Sequence, residues 1–207
     1  KMFFELKEKI KSVKNPFLSK LLTAIFIDDF EFQTAFKSSS AAKTVHHGFL
    51  GGLLEHTLGV VKLCEYFCNN YESLNRDLLI TSALCHDIGK TRELSAFPAN
   101  DYTDEGQLVG HIVIGVEILK AQIDKIPGFP KKLSNELIHC ILAHHGELEY
   151  GSPKKPALIE ALALNLADNA DAKMETFIEL LAQGQDGATG WLGYNKLLES
   201  NYRKTSV

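Results

Sequence analysis

Two stretches of this chain close apolar runs on pairs of groups that bind metals. "LLITSALCHDIG" ends in His86 and Asp87, and "ELIHCILAHHGE" ends in His144 and His145, each pair followed within two residues by glycine. A polar group taken out of water is costly unless it gains a partner. The C-terminal end of a helix carries partial negative charge from its unpaired carbonyls, which favours a nearby cation. Neighbouring helical residues diverge by about 100°, so a doublet serves either two cations or one cation and the groups behind it. Asp87, with two oxygens rich in lone pairs, is the natural bridge.

Other candidate donors lie on other apolar faces. His56 shares the stripe of Leu53, Val60 and Leu63 and therefore points inward. Asp168 sits in "LALNLADNADAKM", a run apolar nearly all round, and His111 follows Gly110 at the start of another helix. A lone histidine on such a face is usually a satisfied core residue, and His139 is read that way. His56, His86, Asp87, His111, His144, His145 and Asp168 together make five imidazoles and two carboxylates. One domain cannot bury that set without a common partner. Free of thiolate, it suits Mn, Fe, Co, Ni or Zn better than Ca.

The elements that must position these groups read as helices, and the class is all-α, with the metal centre in the core of a helical bundle. Residues 2–13 are amphipathic, Pro16 opens "FLSKLLTAIFI", and Asp28 or Asp29 caps a third helix ending near "KSSS". A long helix is expected from about His47 to Cys68, with Asn75 as the N-cap of the helix that ends at His86. Residues 89–105 read as a surface loop, followed by helices near 106–123, 132–145 and 156–183. No strand is expected. The chain divides into an N-terminal helical segment (1–45) packing on the core, a core carrying the donors (46–183), and an aromatic and basic tail (184–207).

With 207 residues, 45% hydrophobic and 23% charged, the chain can build a full single-domain core. Its net charge of −4 does not advertise a nucleic-acid partner, although bound cations would offset carboxylates locally. The four cysteines form no C-x-x-C pair and read as small core residues of a reducing, cytoplasmic protein. No apolar run approaches the roughly 18 residues of a membrane span. The chain starts at Lys1 without a methionine, as a fragment would.

The order H…HD…D, carried by His56, His86–Asp87 and Asp168, resembles the HD-domain metal-dependent phosphohydrolases. His111 and His144–His145 resemble additions in HD subfamilies with two or more metals. "AAKTVHHGFLGGLLEHT", "LCHDIGKTREL", "GQLVGHIVIG", "LAHHGELEYGSPKKP" and "LADNADAKM" together resemble the YhaM-type HD-domain 3′→5′ exoribonucleases. The doublet alone is a weak signal; the ordered set is a strong one. Those enzymes carry an N-terminal OB-fold, whose short strands are not seen here.

The resemblance implies two divalent cations, manganese preferred, with Fe, Co, Ni, Zn or Mg as alternatives and a third cation compatible with the ligand count. His56, His86, Asp87 and Asp168 would hold the first, His111, His144 and His145 the second, with Asp87 bridging. The implied reaction is hydrolysis of phosphodiester bonds in single-stranded RNA or short oligonucleotides by a metal-activated hydroxide, releasing nucleoside 5′-monophosphates. Lys90, three residues past Asp87, either reaches a phosphate oxygen or caps its helix. Asp171 orients a ligand or binds substrate, His47 touches phosphate or base, and Arg203 joins the tail aromatics in binding a strand. A homo-oligomer is compatible with the resemblance. The alternatives are a nucleotide or cyclic-dinucleotide phosphohydrolase, and a non-catalytic metal-binding module assisting a nucleic-acid-binding domain. "HHGELEYGSP" lacks the G-Y-P of cyclic-di-GMP hydrolases.

Overall fold

The computed structural model describes residues 1–43, 48–183, 190–196 and 198–206; His47 lies outside them. The amphipathic α1 (Met2–Lys11) buries Leu6 and Ile10. Asn15 then caps α2 (Pro16–Thr23), its side chain accepting from Phe17 N at 3.0 Å and Leu18 N at 3.2 Å, with Pro16 at the first helical position. A widened turn at Ala24–Asp28 leads to α3 (Phe30–Ser38). Of the two candidate caps there, Asp29 does the work, accepting from Phe32 N at 2.9 Å. Phe26, Phe32 and Phe36 pack edge-on and stacked beneath this turn, with ring centroids 5.1–5.9 Å apart.

The expected long helix begins later than His47. Gly51, in the left-handed region at φ 86°, precedes α4 (Gly52–Asn70), and Leu53 N reaches back to Ser39 O at 3.1 Å. Asn75 caps α5 (Arg76–Cys85), in which every residue from Leu78 to Cys85 is buried. A helix apolar on all sides needs neighbours on all sides. α5 has them in α2, α4, α9 (Lys131–Leu142) and α10 (Ile159–Gln183).

Residues 89–105 are less loop-like than expected. They hold the short α6 (Lys90–Glu93) and the start of α7 (Asp104–Leu108), with Leu94 bridging Tyr102. The expected helix at 106–123 is broken: Gly110 at φ 80° and ψ 153° separates α7 from α8 (His111–Ile123). That break lets His111 start a helix aimed in a new direction. The tail corrects the expectation of no strands. β1 (Trp191–Asn195) pairs antiparallel with β2 (Ser200–Arg203), pairing Trp191 with Arg203, and Tyr202 packs edge-on against Phe177 of α10 at 6.1 Å. The other regular elements among the described residues are helices and the Leu94–Tyr102 bridge, and no helix among them is long and apolar enough to cross a membrane.

Charged side chains tie the N-terminal helices to the bundle. Arg76 donates to both carboxylate oxygens of Glu65 on α4 and to Ser12 O after α1. Asp77 Oδ2 accepts from Lys14 N at 2.9 Å and Asn15 N at 2.7 Å. A carboxylate that satisfies two backbone donors of another helix start is worth about 1–3 kcal/mol. Asp77→Ala should therefore lower the urea midpoint by that equivalent with an unchanged slope. An unaltered midpoint would show that the tie is idle.

Candidate metal centre

Both doublets lie just past a helix end, and both use the same local bond. His86 Nδ1 donates to Ala83 O at 2.8 Å, and His144 Nδ1 donates to Ile141 O at 2.7 Å. In each case the carbonyl three residues back, unpaired at the helix end, takes the imidazole proton. The other three rings follow suit with different acceptors. His56 Nδ1 pairs with Asp171 Oδ2 at 2.7 Å, His111 Nδ1 with Glu93 Oε1 at 2.9 Å, and His145 Nδ1 with Tyr150 O at 3.0 Å. All five imidazoles thus commit Nδ1 to an oxygen and turn Nε2 inward. This is the arrangement that fixes a ligating histidine's tautomer and orientation.

The inward atoms fall into two groups, His56–His86–Asp168 and His111–His144–His145, each with its donor atoms within 4.8 Å of one another. Asp87 stands between them. Its Oδ2 is 3.5 Å from His56 Nε2 and 3.4 Å from His86 Nε2, whereas Oδ1 is 3.5 Å from His111 Nε2 and 3.7 Å from His144 Nε2. Asp168 Oδ1 lies 3.1 Å from His56 Nε2. Donors bound about 2.1 Å from a common centre stand about 3–3.5 Å apart, so these spacings suit shared cations. The buried Nε2 atoms of His111 and His144 and both oxygens of Asp87 have no hydrogen-bond partner among the described residues. Lys90 Nζ answers Asp87 Oδ2 by charge at 2.7 Å. The converging Nε2 lone pairs and carboxylate oxygens fit divalent cations.

Electrostatics point the same way. Burial alone would raise the Asp87 carboxyl, yet the charge of Lys90 and the nearby imidazoles hold it well below the usual range. Asp168 is likewise held low against burial, chiefly by its bond to His56. Lys90 is raised, burial being outweighed by Asp87. Burial lowers His144 well below an ordinary imidazole and lowers His145 as well, so both keep a lone pair at neutral pH. His56 differs: burial opposes its charge, but Asp168 and Asp171 outweigh it and raise the pKa to about 9. Without a cation, the stability this contributes is present in full below pH 6.5 and lost as pH rises through about 9.

Two glycines admit these contacts. Gly89 has φ −64°, so its conformation suits any residue. A Cβ there would collide with His111 O and stand 2.7 Å from Gly115 N. Gly89 is thus the point where the HD turn touches α8 backbone to backbone, setting the gap between Asp87 and His111. Gly59, one turn after His56, leaves the space that the Asp171 carboxylate fills.

Lys90 begins α6, so it is not the C-terminal cap that was its alternative. It lines, with His56, His145, Asp168, Tyr150, Asn169 and Lys173, a cavity of about 480 Å³ over the centre. Asp171 is spent on His56, and His139 Nε2 accepts from Ala157 N at 2.9 Å, as a structural residue does. Arg203 does not line the cavity; its guanidinium lies 5.9 Å from the Trp191 ring centroid. Glu93 escaped sequence reasoning: it holds both the backbone N and Nδ1 of His111 at 2.9 Å. Its only sequence signal is its place one turn after Lys90 in "KTREL". Asn165, which donates to His144 O at 2.8 Å, was missed too, although it sits one turn before Asp168.

The HD domain family profile matches residues 53–173. Among curated relatives, a protein named 3′-5′ exoribonuclease YhaM from Geobacillus sp. (strain WCH70) is 37% identical over 186 residues, covering 90% of this chain and 56% of that protein. Its namesake from Bacillus subtilis (strain 168) is 35% identical over 190 residues, covering 90% and 58%. The chain therefore spans a little over half the length of the relatives it matches. No solved structure matches it significantly.

Gly59→Ala should push Asp171 from His56 Nδ1 and remove one of the groups that raise its pKa. In chelator-treated protein, an NMR titration should then place the His56 pKa below its value of about 9. An unchanged titration would mean that Asp171 does not act on this ring.

Proposed function

The chain belongs to the HD-domain family, and from that premise we propose that it is a metal-dependent phosphodiesterase trimming single-stranded RNA from the 3′ end to nucleoside 5′-monophosphates. The observation that carries this reading is Asp87, whose two buried oxygens, only one of them answered by Lys90, face two separate histidine-bearing groups. RNA as substrate and the 3′ direction follow from the name of the relatives.

In this reading His56, His86 and Asp168 would hold one divalent cation, His111, His144 and His145 would hold a second, and Asp87 would serve both. Manganese is the preferred occupant. When bound, the cations supply Lewis acidity toward phosphoryl oxygens and a water of lowered pKa. The chain's own residues do the rest. Asp87 and Asp168 stay ionised, and His144 and His145 keep their Nε2 lone pairs. His56 would have to lose its Nε2 proton to serve as a ligand. Lys90 Nζ, beside Asp87 and open to the cavity, meets a phosphate oxygen and stabilises negative charge developing on it. Asp171 and Glu93 act only through the rings they orient. Tyr150, exposed at the rim, offers a ring face to a base.

The test is incubation with Mn²⁺ and a 5′-labelled single-stranded RNA. A ladder of 3′-shortened products is expected, reduced more than about 100-fold in Asp87→Asn, which keeps the shape and removes the charge. Turnover confined to nucleotides or cyclic dinucleotides would replace RNA as substrate, and no turnover would leave a metal-binding module. Metal loading also carries a proton signature. Titration calorimetry near pH 7 in buffers of different ionisation enthalpy should detect about one proton released per chain. Apparent affinity should climb with pH through about pH 9 and level off above it, once His56 is neutral.

A further inference from the structure

Asn165, Asn169 and Lys173 recur every four residues along α10 and line the cavity beside Asp168. Four-residue spacing keeps them on one face. Asn165 is turned down to the His144 carbonyl, while Asn169 and Lys173 are exposed. The Lys173 side chain makes no hydrogen bond or ion pair among the described residues. At 1.5 Å of rise per residue, it sits about 7.5 Å further along the helix axis than Asp168. Lys90, by contrast, is pinned within 2.7 Å of Asp87. Two ammonium groups thus enter one cavity at different depths, one at the metal centre and one near its mouth. A cavity of about 480 Å³ exceeds what a single phosphate occupies and falls in the usual range for larger ligands, roughly 300–1,000 Å³.

We propose that Lys173 forms a second phosphate subsite, holding the phosphate immediately 5′ of the bond being cut. The subsite rests on the phosphodiesterase function proposed above. A lysine on a long stem is a mobile point charge suited to a phosphate oxygen of variable position. Lys90 meets the scissile phosphate, and Lys173, set about 7.5 Å further along α10 than Asp168 and not pinned to the centre, is placed for the neighbouring one. Their separation therefore measures substrate length: a strand with two consecutive phosphates engages both lysines, and a strand with one engages only Lys90.

Two substrates isolate the effect, adenylyl-(3′→5′)-adenosine with one phosphate and its 5′-phosphorylated form with two. The Mn²⁺-loaded chain should show a kcat/KM about tenfold higher for the second, expressed mainly in KM, as for one charge-assisted contact. Lys173→Gln should bring that ratio close to one, and Lys173→Arg should keep it. The preference should shrink as salt rises, because the contact is solvent-exposed. Cleavage of both substrates with no preference, or a preference that survives in Lys173→Gln, overturns the subsite and leaves the phosphodiesterase standing. Cleavage of neither dinucleotide by the unaltered chain also overturns the subsite, and the phosphodiesterase falls with it only if the longer RNA is left intact too.

Discussion

The architecture turns on one ionised carboxylate that has almost no access to water. Asp87 is 2% exposed, and the effective cost of burying an ion in a protein is several kcal/mol unless its surroundings answer it. Lys90 answers one oxygen by charge, and four imidazoles crowd both. Those imidazoles do not face the carboxylate by chance. Each has its outer nitrogen tied to an oxygen of the protein, so each ring's direction is fixed before any ligand arrives. Two of the ties are helix-end carbonyls that would otherwise lack partners, so the end of α5 and the end of α9 each solve two problems with one bond.

Helix α5 must be rigid for this to work, and its surroundings supply that rigidity. It is buried on every side, in contact with α2, α4, α9 and α10. The clamps from Arg76 and Asp77 hold the outer helices against its first turn. Packing at one end of α5 thereby governs where His86 and Asp87 come to rest at the other. Ordinary core energetics and metal-site geometry are here the same problem.

Much of this was legible in the sequence because burial leaves periodic traces. His56 announced itself by sharing a stripe with leucine and valine, and the two doublets by closing apolar runs. The candidate donors came from five separate stretches, and the fold brings all seven together. What stayed hidden were contacts between elements distant in the chain. Nothing local says that Glu93 faces His111 across the Gly110 break, since that depends on α7 and α8 diverging. Nor does the sequence say why Gly89 is glycine. Its backbone angles are ordinary, and only the approach of α8 excludes a side chain. The tail hairpin was missed because glycines hide a short strand pair, and its ring contact with Phe177 of α10 lies between residues distant in the chain.

Gly59 and Asp171 lie on different helices, yet the space at one is filled by the side chain of the other. Their substitutions are therefore not independent in evolution. A lineage that gains a methyl group at position 59 must shorten or redirect the residue at 171, and then find His56 Nδ1 another acceptor. The cheapest path keeps both. Across the family, glycine at the first position and aspartate at the second should be inherited as one character.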